Sequence, residues 1–227
     1  MQFDDHAGQM CLETIHIARR VAEVPLLQQT DFQPRGGTPL LDAIMDTIAA
    51  ISSSLEGREP GEVKVIVAIQ TDGEENASRR HGWEEVKGRI CAMEQQGWEF
   101  IFMGAGLREE AYNMGRKLGL KDDKIVAYGT DREATRSIFE ATAANMSLFA
   151  SGMALSTSYS SAQKVTAGDA FGGDEACEDG PEPDLGGASG VDLDTLAPLP
   201  AASPDPVPFM RRARVDSAVM SEPEEPS

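Results

Sequence analysis

The distribution of apolar residues predicts alternating helices and strands over residues 36–153. Residues 63–69 are apolar and largely β-branched apart from Lys64, which predicts a strand buried on both faces of a parallel sheet. A helix before this strand is marked by apolar residues at helical spacing: Leu40, Ile44, Ile48, Ile51 and Leu55. Turns that contain glycine, at 56–57 and 60–61, separate the two elements.

The same alternation continues towards the C-terminus. Buried strands are predicted over residues 98–103 and 125–128. A capping box at Thr130-Asp131-Arg132-Glu133 opens a last helix. The two intervening helices are marked by Trp83, Val86, Ile90 and Met93, and by Leu107, Ala111, Met114 and Leu118. The order predicts an α/β fold with a doubly wound, mostly parallel sheet in a three-layer α/β/α sandwich, where ligands bind beyond the carboxyl ends of the strands.

The first 35 residues admit two interpretations. Residues 1–5 are compatible with the end of a strand. Residues 12–17 are compatible with an edge strand, whereas the spacing of Met10, Thr14, Ile17 and Val21 fits a helix.

Charge and composition narrow the class of protein. The formal net charge of −18 repels phosphate backbones, which argues against nucleic-acid binding. No apolar run is long enough to cross a membrane and no signal peptide opens the chain. Three widely spaced cysteines suggest neither a disulfide framework nor a zinc site, so a cytoplasmic location is expected.

A change in composition divides the chain into an ordered domain, residues 1–160, and an acidic Pro/Gly-rich tail, residues 161–227. The tail has too few large apolar side chains to offset its chain entropy and is predicted to be disordered. A basic and apolar stretch at residues 209–215 is either a docking motif or a solvated segment without a role.

Two segments carry the candidate chemistry. In Gly36-Gly37-Thr38-Pro39, the Thr38 side chain is suited to cap the following helix, with Pro39 at its first position. In Gln70-Thr71-Asp72-Gly73, Asp72 ends a buried strand and is either a turn residue or a cation ligand. Glu74, Glu75 and Asn76, which follow, are predicted to form a solvated loop.

These segments, in this order, resemble the von Willebrand factor A (vWA) domain family. In that family Gly-Gly-Thr-Pro-Leu-x-Asp-Ala supplies a metal-binding threonine, and a hydrophobic strand ending in Thr-Asp-Gly supplies a metal-binding aspartate. Phe3-Asp4-Asp5 is similar to the end of the family's second strand, and residues 100–105 are similar to a strand of its bacterial and phage members. The resemblance favours a strand over a helix at residues 12–17.

The resemblance implies a function. It makes Thr38 and Asp72 ligands of Mg²⁺ or Mn²⁺, ions that prefer oxygen donors. It implies a non-enzymatic protein-interaction module, whose partner offers an acidic side chain to the metal or is a ring-forming ATPase.

One part of the family pattern is missing. The Asp-x-Ser-x-Ser loop, which ends the family's first strand, has no counterpart here, because Asp4-Asp5-His6-Ala7-Gly8 lacks the serines. Three explanations stay open: a start inside a longer reading frame, a strand supplied by another chain, or a degenerate protein. With two protein oxygens, we expect the 227-residue chain to bind Mg²⁺ weakly or not at all.

The same residues are also compatible with a second function. The loop Arg35-Gly36-Gly37-Thr38 at a helix N-terminus is compatible with an anion cradle in a phosphate- or nucleotide-binding enzyme. The loop has no Gly-Lys-Ser/Thr sequence, and Asp72 attracts cations rather than phosphates.

Overall fold

The computed structural model describes residues 1–6, 9–16, 19–26, 28, 36–59 and 61–170. The strands are β1 (Gln2–His6), β2 (Gln9–Glu13), β3 (Ile66–Thr71), β4 (Glu99–Ala105) and β5 (Ile125–Tyr128). The α-helices are α1 (Leu40–Ser54), α2 (Trp83–Glu94), α3 (Glu109–Lys117), α4 (Arg132–Ser151) and α5 (Ser161–Thr166). Short 3-10 helices cover Val21–Glu23 and Asp122–Lys124.

The central feature is a parallel sheet with the strand order β3-β4-β5. Ile66 lies opposite Glu99 in the first pair, and Phe102 lies opposite Ile125 in the second. The helices between the strands provide the crossovers that parallel pairing requires. The predicted α/β class and parallel sheet are therefore confirmed.

Alternate residues of β4 pack into two different clusters. Phe100 and Phe102 are fully buried among apolar residues of α1, α2 and α3. Ile101 and Met103 pack in the other cluster, with Ile138 of α4 and the buried ring of Tyr159. Because both faces of β4 are covered, its sequence is apolar without alternation.

The N-terminal residues form a separate antiparallel hairpin of β1 and β2. The strand predicted near residue 12 exists, but it covers Gln9–Glu13, and the helical interpretation of this region is wrong. The hairpin contacts the rest of the fold through the side chain of Phe3, which packs against the main apolar cluster, and through the N–H of Asp5, which donates to the carbonyl of Gly37 at 2.9 Å.

The prediction that residues 63–69 are buried on both faces is wrong. Strand β3 begins at Ile66, and the side chains of Ala68 and Gln70 are exposed while Val67 and Ile69 are buried. The physical reason is position: α4 packs over β4 and β5, and no described element covers that face of β3. Hydrophobicity alone did not reveal which strand lay at the edge.

The cap of α4 is Asp131 rather than Thr130. One Asp131 carboxylate oxygen accepts hydrogen bonds from the backbone N–H groups of Glu133 and Ala134, at 3.0 and 2.9 Å. A carboxylate at this position also interacts favourably with the helix dipole. The sequence motif therefore located the helix start to within one residue.

Ten residues assigned to the tail belong to the folded part. Helix α5, Ser161–Thr166, opens in a capping box formed by Ser160 and Gln163. Beyond it, the buried carboxylate of Asp169 accepts hydrogen bonds from the Tyr112 hydroxyl at 2.7 Å and the Ala127 N–H at 3.1 Å. The prediction of disorder for the remainder, including residues 209–215, lies outside the described residues.

Candidate functional site

Asp72 lies at the carboxyl end of β3, directly after Thr71, the last residue of the strand. The Thr71 hydroxyl accepts from the N–H of Gly73 at 3.1 Å and donates to the carbonyl of Gly73 at 2.8 Å. The hydroxyl thus closes a tight turn around Asp72, whose own side chain is exposed. This is the end of the sheet at which open α/β folds bind ligands.

Thr38 lies against this turn. A Cβ atom at position 73 would be only 2.9 Å from the Thr38 hydroxyl oxygen, so the close approach requires glycine. The structure therefore brings the segments that carry Thr38 and Asp72 together at one end of the sheet. None of the described hydrogen bonds uses the Thr38 hydroxyl.

Thr38 does not cap α1, contrary to the prediction. The helix begins at Leu40, and the residue at the cap position, Pro39, has no side-chain donor or acceptor. The carboxylate of Glu75 instead accepts from the N–H of Leu41 at 3.0 Å. The Ser78 hydroxyl accepts from the next amide, that of Asp42, at 3.1 Å. Side chains from the loop after β3 thus satisfy amides of the first turn.

Glu75 and Asn76 join the loop after β3 to the segment that opens α1. Besides its bond to α1, the Glu75 carboxylate accepts from the N–H groups of Ala77 and Ser78 at 3.0 and 2.8 Å. The Asn76 side-chain oxygen accepts from the Thr38 N–H at 2.8 Å, and the Asn76 N–H donates to the Thr38 carbonyl at 3.2 Å. Glu74 and Asn76 are exposed, as predicted, whereas Glu75 is only partly exposed.

Asp42 fixes the far end of the same loop. Its buried carboxylate accepts from the consecutive N–H groups of Arg79, Arg80 and His81, at 3.0, 3.2 and 3.0 Å. Burial by itself raises the pKa of Asp42, but these amides and the Arg80 guanidinium outweigh it and hold the pKa below its ordinary value. The loop is therefore attached to α1 through Glu75 at one end and through Asp42 at the other.

Tyr128, at the end of β5, contributes a neutral hydroxyl nearby. It accepts a hydrogen bond of 2.8 Å from the side-chain amide of Gln70. Burial raises the pKa of Tyr128, and the negative charge of Asp72 raises it further. The Tyr128 hydroxyl is thus neutral, whereas the exposed side chains of Asp72 and Glu74 carry negative charge at this end of β3.

The donors at this site fit Mg²⁺ in kind but not in number. A hydroxyl and a carboxylate are hard oxygen ligands, whereas Mg²⁺ requires six oxygens in octahedral geometry. Over the described ranges, no group of three or more His, Cys, Asp or Glu side chains is placed to hold a metal ion. Thr38 and Asp72 therefore supply at most part of a coordination shell.

Within the described part of the chain, no helix has the length and apolar character needed to span a membrane. Comparisons with protein-family models, with curated proteins and with solved structures gave no match.

Proposed function

We propose that this chain is a vWA-type, non-enzymatic protein-interaction module that acts in the cytoplasm. Its binding face is the carboxyl end of β3, where Thr38 and Asp72 serve as partial ligands of Mg²⁺ or Mn²⁺. The proposal takes the sheet and its helices as the main part of a three-layer α/β/α sandwich. The Asp-x-Ser-x-Ser motif, which ends the first strand of such a domain, does not occur in the sequence.

The observation that carries the proposal is the contact between Thr38 and Gly73. Thr38 and Gly73, 35 positions apart in sequence, meet there, and a Cβ atom at position 73 would lie only 2.9 Å from the Thr38 hydroxyl oxygen. Glu75 and Asp42 fix the surrounding loop, so the Thr38 hydroxyl and the turn at Asp72 are held before any ligand arrives. Such preorganisation is what a cation site of low ligand number needs.

The resemblance also supplies the kind of partner. An acidic side chain offered by another protein would complete the shell of the ion and make binding metal-dependent. The other kind of partner that the resemblance implies is a ring-forming ATPase. The carboxylates of Asp72 and Glu74 require a cation between them and any such acidic group, because like charges at close range repel.

The alternative of an anion cradle receives no support from the geometry. An anion at the start of α1 would need free N–H groups. The amides of Thr38, Leu41 and Asp42 are already bonded to side chains of the loop after β3. A carboxylate, that of Glu75, already lies at this helix terminus.

The experiment adds the missing ligands. A segment of about 35 residues, one strand ending in Asp-x-Ser-x-Ser and one helix by typical element lengths, is joined before Met1, and Mg²⁺ binding is measured by titration calorimetry. We expect the extended chain to bind Mg²⁺ at least tenfold more tightly than the 227-residue chain. A tenfold gain is about what one charge-assisted contact contributes to binding.

The matched controls are the same segment with Asp-x-Ala-x-Ala, and the extended chain carrying Asp72→Asn. Both should return Mg²⁺ binding to the level of the unextended chain. Unchanged binding in the Asp72→Asn variant would show that the ion is held elsewhere and would refute the proposed site.

A further inference from the structure

An open groove of about 680 Å³ lies between α2 and α3. Six side chains line it: Trp83, Glu84, Lys87, Asn113, Arg116 and Lys117. Three of the six are basic and one is acidic, whereas the whole chain has a formal net charge of −18. The groove is therefore a surface that attracts anionic groups on a molecule whose net charge repels them.

The basic side chains of the groove are positioned by contacts with the two helices. The Lys117 ammonium lies over the Trp83 ring, 5.2 Å from its centroid, in a cation–π contact. A Cβ atom at Gly119 would be 3.0 Å from Cγ of Lys87, so the Lys87 side chain of α2 reaches the residues that follow α3. Over the described residues, no carboxylate lies within ion-pair distance of either lysine. The two ammonium groups thus have capacity for an acidic ligand.

The described part of the chain ends beside this groove. The Tyr112 hydroxyl on α3 donates to the Asp169 carboxylate at 2.7 Å. The Arg116 guanidinium, which lines the groove, lies over the ring of the same tyrosine, 5.6 Å from its centroid. One tyrosine side chain therefore separates the groove from Asp169, and Ala170 is the last described residue.

The sequence that follows is acidic and begins within reach of the groove. Residues 174–184 contain no lysine or arginine and have six carboxylates: Asp174, Glu175, Glu178, Asp179, Glu182 and Asp184. The three residues 171–173 connect this segment to Ala170 and span about 10 Å when extended. Two of them are glycines, which tolerate a wide range of backbone conformations.

From this arrangement we propose that residues 174–184 of this chain dock in the groove between α2 and α3. Their carboxylates pair with the ammonium groups of Lys87 and Lys117, and the segment covers the groove against acidic segments of other proteins. The surface lies on two helices and needs no metal ion. It therefore stands independently of the proposed metal ligands.

The tether favours this segment over a separate acidic peptide. Ion pairs between exposed groups are individually weak, because water and salt screen them. A short linker nevertheless gives a tethered segment an effective concentration of about a millimolar or more. A few weak pairs are therefore enough for docking within one chain, whereas they would not hold a free peptide of the same charge.

The segment itself contains the attachment point for a probe, because Cys177 lies in its middle. The test uses the full chain with Cys11→Ser and Cys91→Ser, a nitroxide spin label on Cys177, and a buffer that contains EDTA. In the amide spectrum, we expect the label to broaden the signals of Lys87 and Lys117 more than those of other helical residues. Broadening that is strongest elsewhere would overturn the proposal.

A charge variant separates docking from the mere nearness of the tethered segment. Lys87→Gln combined with Lys117→Gln should lower the docking equilibrium constant about fivefold, the value of two exposed ion pairs, seen as weaker broadening at Asn113. The matched control is Arg20→Gln combined with Arg132→Gln, which removes two exposed positive charges away from the groove and should leave the broadening unchanged. Equal broadening in the lysine variant, with thermal unfolding showing it folded, would refute docking.

The converse experiment changes the segment and keeps the groove. Replacing its six carboxylates by the corresponding amides should abolish the selective broadening, as should about 1 M NaCl, where the screening length falls to about 3 Å. The matched control replaces six acids further along the chain: Asp192, Asp194, Asp205, Glu222, Glu224 and Glu225. Release by both sets of substitutions would show a general effect of net charge and would refute the assignment to residues 174–184.

A second copy of the chain is the remaining occupant to be tested. Spin-labelled chain at natural isotope abundance is mixed with unlabelled chain enriched in ¹⁵N, so that only contacts between molecules broaden the observed signals. We expect no broadening at Lys87, Asn113 or Lys117 in this mixture. Selective broadening there would assign the groove to the acidic segment of another copy and would overturn docking within one chain.

Discussion

Asp42 shows how one buried carboxylate can organise a loop. Its side chain is only 3% exposed and accepts three consecutive backbone amides beyond the candidate site. Nothing in the sequence separated this aspartate from an ordinary helical residue, because its partners lie 37 to 39 residues away. Sequence reasoning placed Asp42 in the right motif and missed what it does.

We predict that Asp42→Asn lowers the free energy of unfolding by about 2 kcal/mol at pH 7, because hydrogen bonds to a charged acceptor weaken. The lowered pKa of Asp42 makes this stabilisation present above the unfolded-state pKa and lost as pH falls through the folded-state value. Urea unfolding at neutral and acidic pH measures the effect. As a control, Asp46→Asn, at a more exposed carboxylate, should lower the free energy of unfolding by less. A loss in Asp42→Asn that does not depend on pH would contradict the role given to the Asp42 carboxylate.

Glu74 and Glu75 are adjacent in sequence but have different surroundings. We predict that Glu75→Gln lowers the free energy of unfolding by about 1–2 kcal/mol, since it weakens charge-assisted bonds to Leu41, Ala77 and Ser78. Glu74→Gln, at an exposed side chain, serves as the matched control and should have almost no effect. Equal changes in chemical denaturation would show that Glu75 does not hold the loop.

At the scale of elements, periodicity was a good guide to the strands and helices of the sheet. It located β4, β5 and all four helices between residues 38 and 153 because their apolar residues face packed neighbours. It failed at β3, where the edge position leaves one face open, and at α5, which is short and held mainly by polar contacts. Those contacts join residues far apart in sequence, which local patterns do not report.

The packing of α3 on β5 gives a prediction at this scale. A Cβ atom at Gly115 would lie 2.5 Å from the Ile125 side chain. Gly115→Ala should therefore cost about 1–3 kcal/mol through overpacking. Gly88→Ala is the matched control, because that helical glycine has nothing within 4 Å, and it should gain about 0.5–1 kcal/mol from helix propensity. If thermal unfolding shows that both variants are stabilised, the close packing of Gly115 against Ile125 is contradicted.

The attachment of α5 can be tested through Asp169. The Asp169→Ala variant leaves the buried hydroxyl of Tyr112 and the amide of Ala127 without this acceptor. We expect a loss of about 2–3 kcal/mol in the free energy of unfolding, measured in urea. Glu110→Ala on the exposed side of α3 is the control. A loss no larger than that of the control would place the end of the domain before α5.

The whole molecule combines a parallel sheet with a loop fixed at both ends, and we propose that a cation binds beside this loop with few protein ligands. The fold class followed from apolar patterns, and the positions of Thr38 and Asp72 at one end of the sheet followed from strand-end geometry. The hydrogen bonds that hold the loop did not follow, since side-chain partners depend on tertiary contacts. The sequence therefore predicted the positions of Thr38 and Asp72 in the fold better than the hydrogen bonds that surround them.

The most direct test of the central claim uses Mn²⁺ as a paramagnetic probe, because line broadening detects even weak binding. In the amide spectrum of the 227-residue chain, we predict that the signals of Gly37, Thr38 and Gly73 broaden at the lowest Mn²⁺ concentration. This selective broadening should disappear in Asp72→Asn and persist in Glu74→Gln. Broadening that begins elsewhere, or that survives in Asp72→Asn, would contradict a cation site formed by Thr38 and Asp72.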